Sequence, residues 1–386
     1  MNKKAKIVLN AMVANEARTI TRMLDSVYQY IDYWVIQDNG SKDGTQDIIR
    51  DYFKEKNIPG FLYEIEWQFP GWNRDHALQT CIKTDHGCDW ILRMDADERL
   101  EIDDDFNWAM LEDTNVTSWN IIVRSFNTRY FRTWMWNARL PWFFQHDKRH
   151  ETIHLPEVGE DFQRVTLPES FRHIVTNDGQ TWFAPRKFLK DALELEIDKV
   201  VGDTVLDDHY HLWYVGKSYS DCYGKPDELA FGKDHSDEYA RRAIFYFKHF
   251  LRVAHNYWET GVPARMDEMG YTTFLLMAQA HNFRGEKEEA EKCWKLCEPF
   301  APQRNEHLMY YGFFLEDEGR YQECLDVINT MMKPERKNPF PDMCFLIENR
   351  SYMDTGSQEL IEWKDRITRR ISEPVIKNEG VVFSFE

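Results

Sequence analysis

The stretch from Asp89 to Leu100 constrains this chain more than any other. Trp90-Ile91-Leu92-Arg93-Met94 is an apolar run of strand length, and it ends in Asp95-Ala96-Asp97-Glu98. A continuously apolar strand needs cover on both faces, the condition of a parallel sheet, and open α/β sheets gather ligands at the carboxyl ends of their strands. Crowded carboxylates repel one another unless they are solvated or neutralised by a cation. Hard oxygen donors of this kind suit Mg²⁺ or Mn²⁺ shared with a substrate phosphate. Taken alone, the same four residues also read as the solvated first turn of a helix, where acids are favoured.

The preceding text supplies the rest of such a sheet. Ile7-Val8-Leu9-Asn10-Ala11-Met12-Val13 reads as a buried strand, followed by Asn15-Glu16 and a helix with apolar positions Ile20, Leu24, Val27 and Ile31. Tyr33-Trp34-Val35-Ile36-Gln37 is a second strand that stops in the turn-forming stretch Asp38-Asn39-Gly40-Ser41-Lys42-Asp43-Gly44-Thr45, and Thr45 opens a helix. Residues 61–67 alternate as a third strand and residues 73–82 read as a helix before the fourth strand at Trp90. Strand–helix alternation predicts a parallel sheet. Its strand ends bring Asn15, Glu16, Asp38, Trp67, Asn73, Arg74, Asp95 and Asp97 to one crevice of a size to take a nucleotide.

Bulk properties narrow the choice. The 386-residue chain is long enough for two domains, and a formal net charge of −18 argues against a nucleic-acid surface, which needs clustered Lys and Arg. Seven cysteines, none in a CxxC pair, imply buried thiols in a reduced compartment. The apolar run after Met1-Asn2-Lys3-Lys4 is too short for a signal peptide, and no run reaches the ~20 apolar residues of a membrane span. These features predict a cytoplasmic protein.

The ordered motifs Asn15-Glu16, Asp38 to Thr45, Trp67 with Asn73-Arg74-Asp75-His76-Ala77-Leu78, and Asp95-Ala96-Asp97-Glu98 resemble glycosyltransferase family 2 of the GT-A fold. The resemblance covers roughly the first 175 residues. It implies that Asp38 contacts the nucleobase, that Arg74 lies near the nucleotide, and that Asp95 and Asp97 hold a divalent metal on the diphosphate. His150-Glu151 matches a His-Glu step of related enzymes, and Glu151 is the candidate base that takes the acceptor proton. His173 matches a family histidine that serves as a metal or diphosphate ligand. The aromatic stretch Arg129 to Trp136, with Trp142-Phe143-Phe144, reads equally as a sugar-stacking platform or as packing beneath a loop.

From about Trp182 the text changes to long amphipathic helices. Phe274, Met277, Ala278, His281, Gly285, Ala290, Trp294 and Cys297 are echoed by Leu308, Tyr311, Gly312, Leu315, Gly319, Cys324, Ile328 and Met331, with Gly285 and Gly319 at the tetratricopeptide period. An earlier copy runs through Leu212, Val215, Gly216, Tyr219, Ala243 and Phe247. Leu189, Leu193 and Ile197 are expected to cover the sheet domain, and Val381-Val382-Phe383 to dock as a strand or cap. The expectation is thus a GT-A α/β domain over residues 1–180 and an all-α tetratricopeptide-like domain over residues 181–386. Its predicted function is metal-dependent, inverting transfer of a sugar from a nucleotide-sugar donor, preferentially a UDP-sugar, to a glycan or protein acceptor. The repeats leave room for a homodimer through the helical half. The alternative is an inactive repeat scaffold carrying a degenerate transferase domain.

Overall fold

The structure is a computed structural model. It describes residues 5–113, 115–125, 128–146, 151–156, 163–176, 178–179, 186–197, 209–224, 234–258, 264–336, 346–347 and 356–372.

The first four strands, β1 (Ile7–Val13), β2 (Tyr33–Asp38), β3 (Gly60–Glu64) and β4 (Trp90–Met94), run parallel in the order β3-β2-β1-β4. Both faces of β1 are covered, which explains a text that is apolar but for Asn10, whose amide donates to the Val35 and Ala77 carbonyls. Between the strands lie α1 (Ile20–Val27), α2 (Thr45–Lys56) and α3 (Pro70–Lys83); α1 buries Ile20, Met23, Leu24 and Val27, one face at helical spacing. Gly60 opens β3 because a Cβ there would lie 2.2 Å from the Trp34 carbonyl oxygen.

Beyond β4 the sheet becomes mixed. After the acidic turn come β5 (Glu98–Ile102), β6 (Val116–Ser125), β7 (Thr128–Asn137), β8 (Phe143–Phe144), β9 (Ile153–His154), β10 (Gln163–Thr166) and β11 (Phe171–Val175). β7 pairs antiparallel with β4 and β6, and the order continues β4-β7-β6-β11-β5, with β10 on β6. The β8–β9 hairpin is a separate small sheet packed on α3.

The third strand is shorter than its alternation predicts. Ile65 still bonds through its amide to the Asp38 carbonyl, but the chain then turns toward Pro70, a residue suited to a first helical turn, and Trp67 is left in the loop with 45% of its surface exposed. The acidic turn joins two strands and does not open a helix.

The second half is helical: α4 (Lys187–Glu196), α5 (His209–Ser220), α6 (Ser236–Trp258), α7 (Ala264–Phe283), α8 (Lys287–Cys297), α9 (Glu306–Asp317), α10 (Tyr321–Met331) and α11 (Gln358–Ser372). α5 packs on α6, α7 on α8 and α9 on α10, and successive hairpins touch. Gly285 and Gly319 occupy matching turns at φ +74° and +70°, a conformation open to glycine. Gly216 and Gly312 sit where a Cβ would press on Phe247 and Trp363. A buried polar cluster joins the hairpins: the Tyr271 hydroxyl donates to Glu306, the Arg304 guanidinium lies 4.0 Å from the Tyr271 ring centre and bonds Glu306 at 2.9 Å, and Glu298 pairs with His307 and Arg336.

Two separate cores result, one within the sheet half and one within the helices. Leu189 belongs to the helical core while Leu193 and Ile197 are exposed, so these three do not cover the sheet as expected. α4 turns its apolar face toward α5 instead. A two-residue strand, β12 (Leu346–Ile347), pairs with β7. Cys81, Cys88, Cys222, Cys293, Cys297 and Cys324 are buried free thiols. Cys344 and the stretch Val381 to Phe383 lie outside the described residues.

Candidate active site

The carboxyl ends of β1, β2 and β4 are knitted together by their loops. Asn15 takes a left-handed conformation (φ 57°), its amide donates to Ser41 Oγ and its Oδ1 accepts from the Lys42 amide, both at 2.8 Å. The Glu16 amide donates to Thr45 Oγ1 at 2.9 Å, and its carboxylate accepts from Thr19. Asn15 and Glu16 thus brace the loop after β2.

Asp38 is fully buried at the end of β2. Its Oδ1 accepts from the Gly40 and Ser41 amides at 2.9 Å and from Gln46 at 3.0 Å, whereas its Oδ2 has no hydrogen-bond partner. Asn73, also fully buried, accepts from the Gln68 amide through Oδ1 and leaves Nδ2 without a partner. Buried polar atoms are rarely left unbonded, so this acceptor and this donor at the strand ends are available to a water or a ligand.

At the end of β4, Asp95 is held by two arginines. Arg93 donates to both its oxygens at 2.9 Å, and Arg74 Nη1 reaches Oδ1 at 3.1 Å. Arg74, on α3, is also ion-paired with Glu151 at the foot of the β8–β9 hairpin. Glu98 is almost wholly buried: its Oε2 accepts from the Asp95 amide at 3.0 Å, and Arg132 lies 3.4 Å from Oε1. Burial first, and the Asp95 charge next, push its carboxyl well above the ordinary value, against the pull of Arg132. His173, on β11, is fully buried with Nδ1 3.7 Å from Glu98, and burial pushes its imidazole down to about 3. The ring is therefore neutral at ordinary pH.

Asp97 differs from both neighbours. Among the described residues its carboxylate makes no ion pair, and burial together with the Asp95 and Asp178 charges raises its pKa. Gly179 lies against it, where a Cβ would come within 3.1 Å. The Asp97 carbonyl accepts from the Thr176 hydroxyl at 2.8 Å, and Asp178 is locked to Arg22 of α1. No group of three or more His, Cys, Asp or Glu arranged for a metal occurs among the described residues. A cation shared with a diphosphate needs only one or two protein carboxylates, because phosphate oxygens and waters complete its shell. Asp97, a half-buried carboxylate lacking a cation, fits that role.

The structure therefore brings Arg74, Asp95 and Glu151 into contact after β4, with Asp97 in the same turn and His173 beside Glu98; Asp38 ends β2, Asn73 lies on α3, and Asn15 and Glu16 bond the loop after β2; Trp67 is on an exposed loop, and His150 lies outside the described residues. Trp134, Trp136 and Trp142 are buried, so most of the aromatic stretch packs the core; Phe143, 40% exposed, stacks on His154. The sequence assigns Arg93 no role and offers Arg132 and Trp134 only as part of the aromatic stretch. Arg93, a charge inside an apolar strand, was the available signal, since a buried charge requires a partner.

A sheet of this order, with acids closing its central strand, makes the N-terminal half a GT-A-like domain. Residues 12–157 match the family Glycosyl transferase family 2, so the protein carries a family 2 domain and is a glycosyltransferase. No curated protein matches the chain. Among solved structures it is similar to the crystal structure of S. aureus TarS 1-349, at 15% identity and a TM-score of 0.36, over 77% of this chain and 91% of that one. The same TarS fragment in complex with UDP aligns at 15% identity, and in complex with UDP-GlcNAc at 13%, each with a TM-score of 0.36 and 77% of this chain covered; the shares of those chains are 91% and 92%. Among the described residues no helix is long and apolar enough to cross a membrane.

Proposed function

We propose that the protein transfers a sugar from a nucleotide-sugar donor, preferentially a UDP-sugar, to a hydroxyl of a glycan or protein acceptor, with inversion and with a divalent cation. The observation that supports this reading is the pair of acids at the ends of parallel strands, Asp38 closing β2 with one oxygen unbonded and Asp97 in the turn after β4 with no ion pair among the described residues. Asp38 Oδ2 is suited to accept an imide N–H of a nucleobase. Asp97 would hold Mn²⁺ or Mg²⁺, and the cation would supply Lewis-acid stabilisation of the departing diphosphate. Glu151 is the base: as the acceptor oxygen bonds to the anomeric carbon, its proton passes to the carboxylate and the bond to the diphosphate oxygen breaks. His150 precedes this base in sequence.

Residues 1–180 form the catalytic unit in this reading, and residues 181–386 a tetratricopeptide-like unit for acceptor or homodimer contacts. The test is a thermal-shift screen of UDP-, GDP- and dTDP-sugars with Mn²⁺, followed by donor hydrolysis. Ligands of the native state raise the apparent melting temperature. A shift with UDP-sugars that disappears with EDTA, together with Mn²⁺-dependent release of UDP, supports the proposal. A metal-independent shift, or none with any donor, rejects it.

A further inference from the structure

The two arginines that face the acidic turn from β4 and β7 are organised by a tryptophan. The antiparallel register of β4 and β7 ends with Leu92 opposite Met135, and Arg93 and Trp134 are the next residues on the two strands. The Arg93 guanidinium lies 4.3 Å from the Trp134 ring centre and the Arg132 guanidinium 4.1 Å from it. A cation over an indole is attracted by the ring quadrupole, and its planar group is restricted in orientation. Each guanidinium then reaches a different acid: Arg93 takes both oxygens of Asp95, and Arg132 faces Glu98. Asp97, between those acids in sequence, makes no ion pair among the described residues, with Arg22 acting on it only at longer range.

We propose that Trp134 is a positioning residue: by holding Arg93 and Arg132 it commits Asp95 and Glu98 to protein cations and leaves Asp97 as the one carboxylate of the turn open to a divalent cation. The inference rests on the metal-dependent reading above. It explains how three acids share one turn without forming a strong metal trap. A site with one available carboxylate holds the cation weakly by itself and takes it together with the diphosphate.

The stack makes an unusual demand. Weakening it should strengthen cation binding by the substrate-free protein, because carboxylates are released, while impairing transfer. Mn²⁺ is titrated into substrate-free wild type, Trp134→Phe, Trp134→Leu and Arg132→Gln, with free Mn²⁺ followed by electron paramagnetic resonance and folding by circular dichroism. Trp134→Leu and Arg132→Gln should bind Mn²⁺ about tenfold more tightly, with turnover lowered about tenfold or more, the scale of a displaced electrostatic partner. Trp134→Phe, which keeps an aromatic face, should stay near wild type in both. Arg132 is partly exposed, so its variant remains informative if the Trp134→Leu protein does not fold. Folded variants that bind Mn²⁺ no more tightly than wild type would overturn the proposal, as would Trp134→Phe behaving like Trp134→Leu. A wild type that transfers sugar in excess EDTA removes the metal-dependent reading and this inference with it, whereas normal metal dependence in wild type with unaltered variants removes this inference alone.

Discussion

Arg74 of α3 is ion-paired with Glu151 of the β8–β9 hairpin while it also lies 3.1 Å from Asp95. One guanidinium therefore spans the acid at the strand end and the candidate base. In the proposed reaction a diphosphate beside Asp97 would compete for the same cation and free Glu151 to accept a proton.

Glu151→Gln should consequently spare nucleotide binding and remove proton acceptance. Transfer turnover should fall by about 10²–10⁴-fold, the usual worth of a general base, with UDP affinity nearly unchanged by calorimetry. Retention of transfer would assign the base elsewhere.

Asp38→Asn preserves the shape of the side chain and alters the oxygen that is left unbonded. UDP binding in the presence of Mn²⁺ should weaken by about 1–3 kcal/mol, the scale of a lost buried hydrogen bond. Calorimetric titration measures this directly, and an unchanged affinity would separate Asp38 from the base.

Asp97→Asn keeps the turn and deletes the charge that awaits a cation. Turnover should drop at least about a hundredfold, as for loss of a principal electrostatic stabiliser. Melting temperature without metal should hold or rise, because one of three crowded carboxylates is gone. Excess EDTA should reproduce the loss in wild type, and transfer surviving both treatments would leave the turn a structural one.

Asp178 is held below the usual carboxylate range, chiefly by its hydrogen bond from Arg22, with Thr176 assisting. A depressed folded-state pKa stabilises the fold fully above the unfolded value of about 4 and loses that contribution as pH falls through the folded value. The pair is about one-third exposed on each side, so Asp178→Asn should cost only about 0.5–1 kcal/mol at pH 7. Urea denaturation at pH 7 and at successively lower pH should show the wild-type advantage shrinking below about pH 4; an advantage independent of pH would point to a steric cause.

The elements most legible in the text were those whose signal is local. β1, β2 and β4 follow from mainly apolar runs, α1 from its apolar spacing, and the turns of the later hairpins from Gly285 and Gly319. Arg74 and Asp95 were found as separate motifs, and the structure brings them into contact. What the text withheld depends on pairing across long separations. Nothing local indicates that Trp134 meets Arg93, because that contact follows from β7 lying antiparallel beside β4. Likewise the sequence points to Asn15 and Glu16 as ligand contacts, whereas much of their hydrogen-bonding capacity goes to the neighbouring loop.

The polar cluster of Tyr271, Arg304, Glu306, His307 and Arg336 has a mechanical consequence. Hairpins that touch mainly their neighbours come apart one at a time, beginning at a free end. A buried ion pair resists this, because parting it strands charge away from water. Pulled from its carboxyl end, the helical half should therefore release α11 first and yield in steps, with its greatest resistance where Arg304 and Glu306 clasp Tyr271.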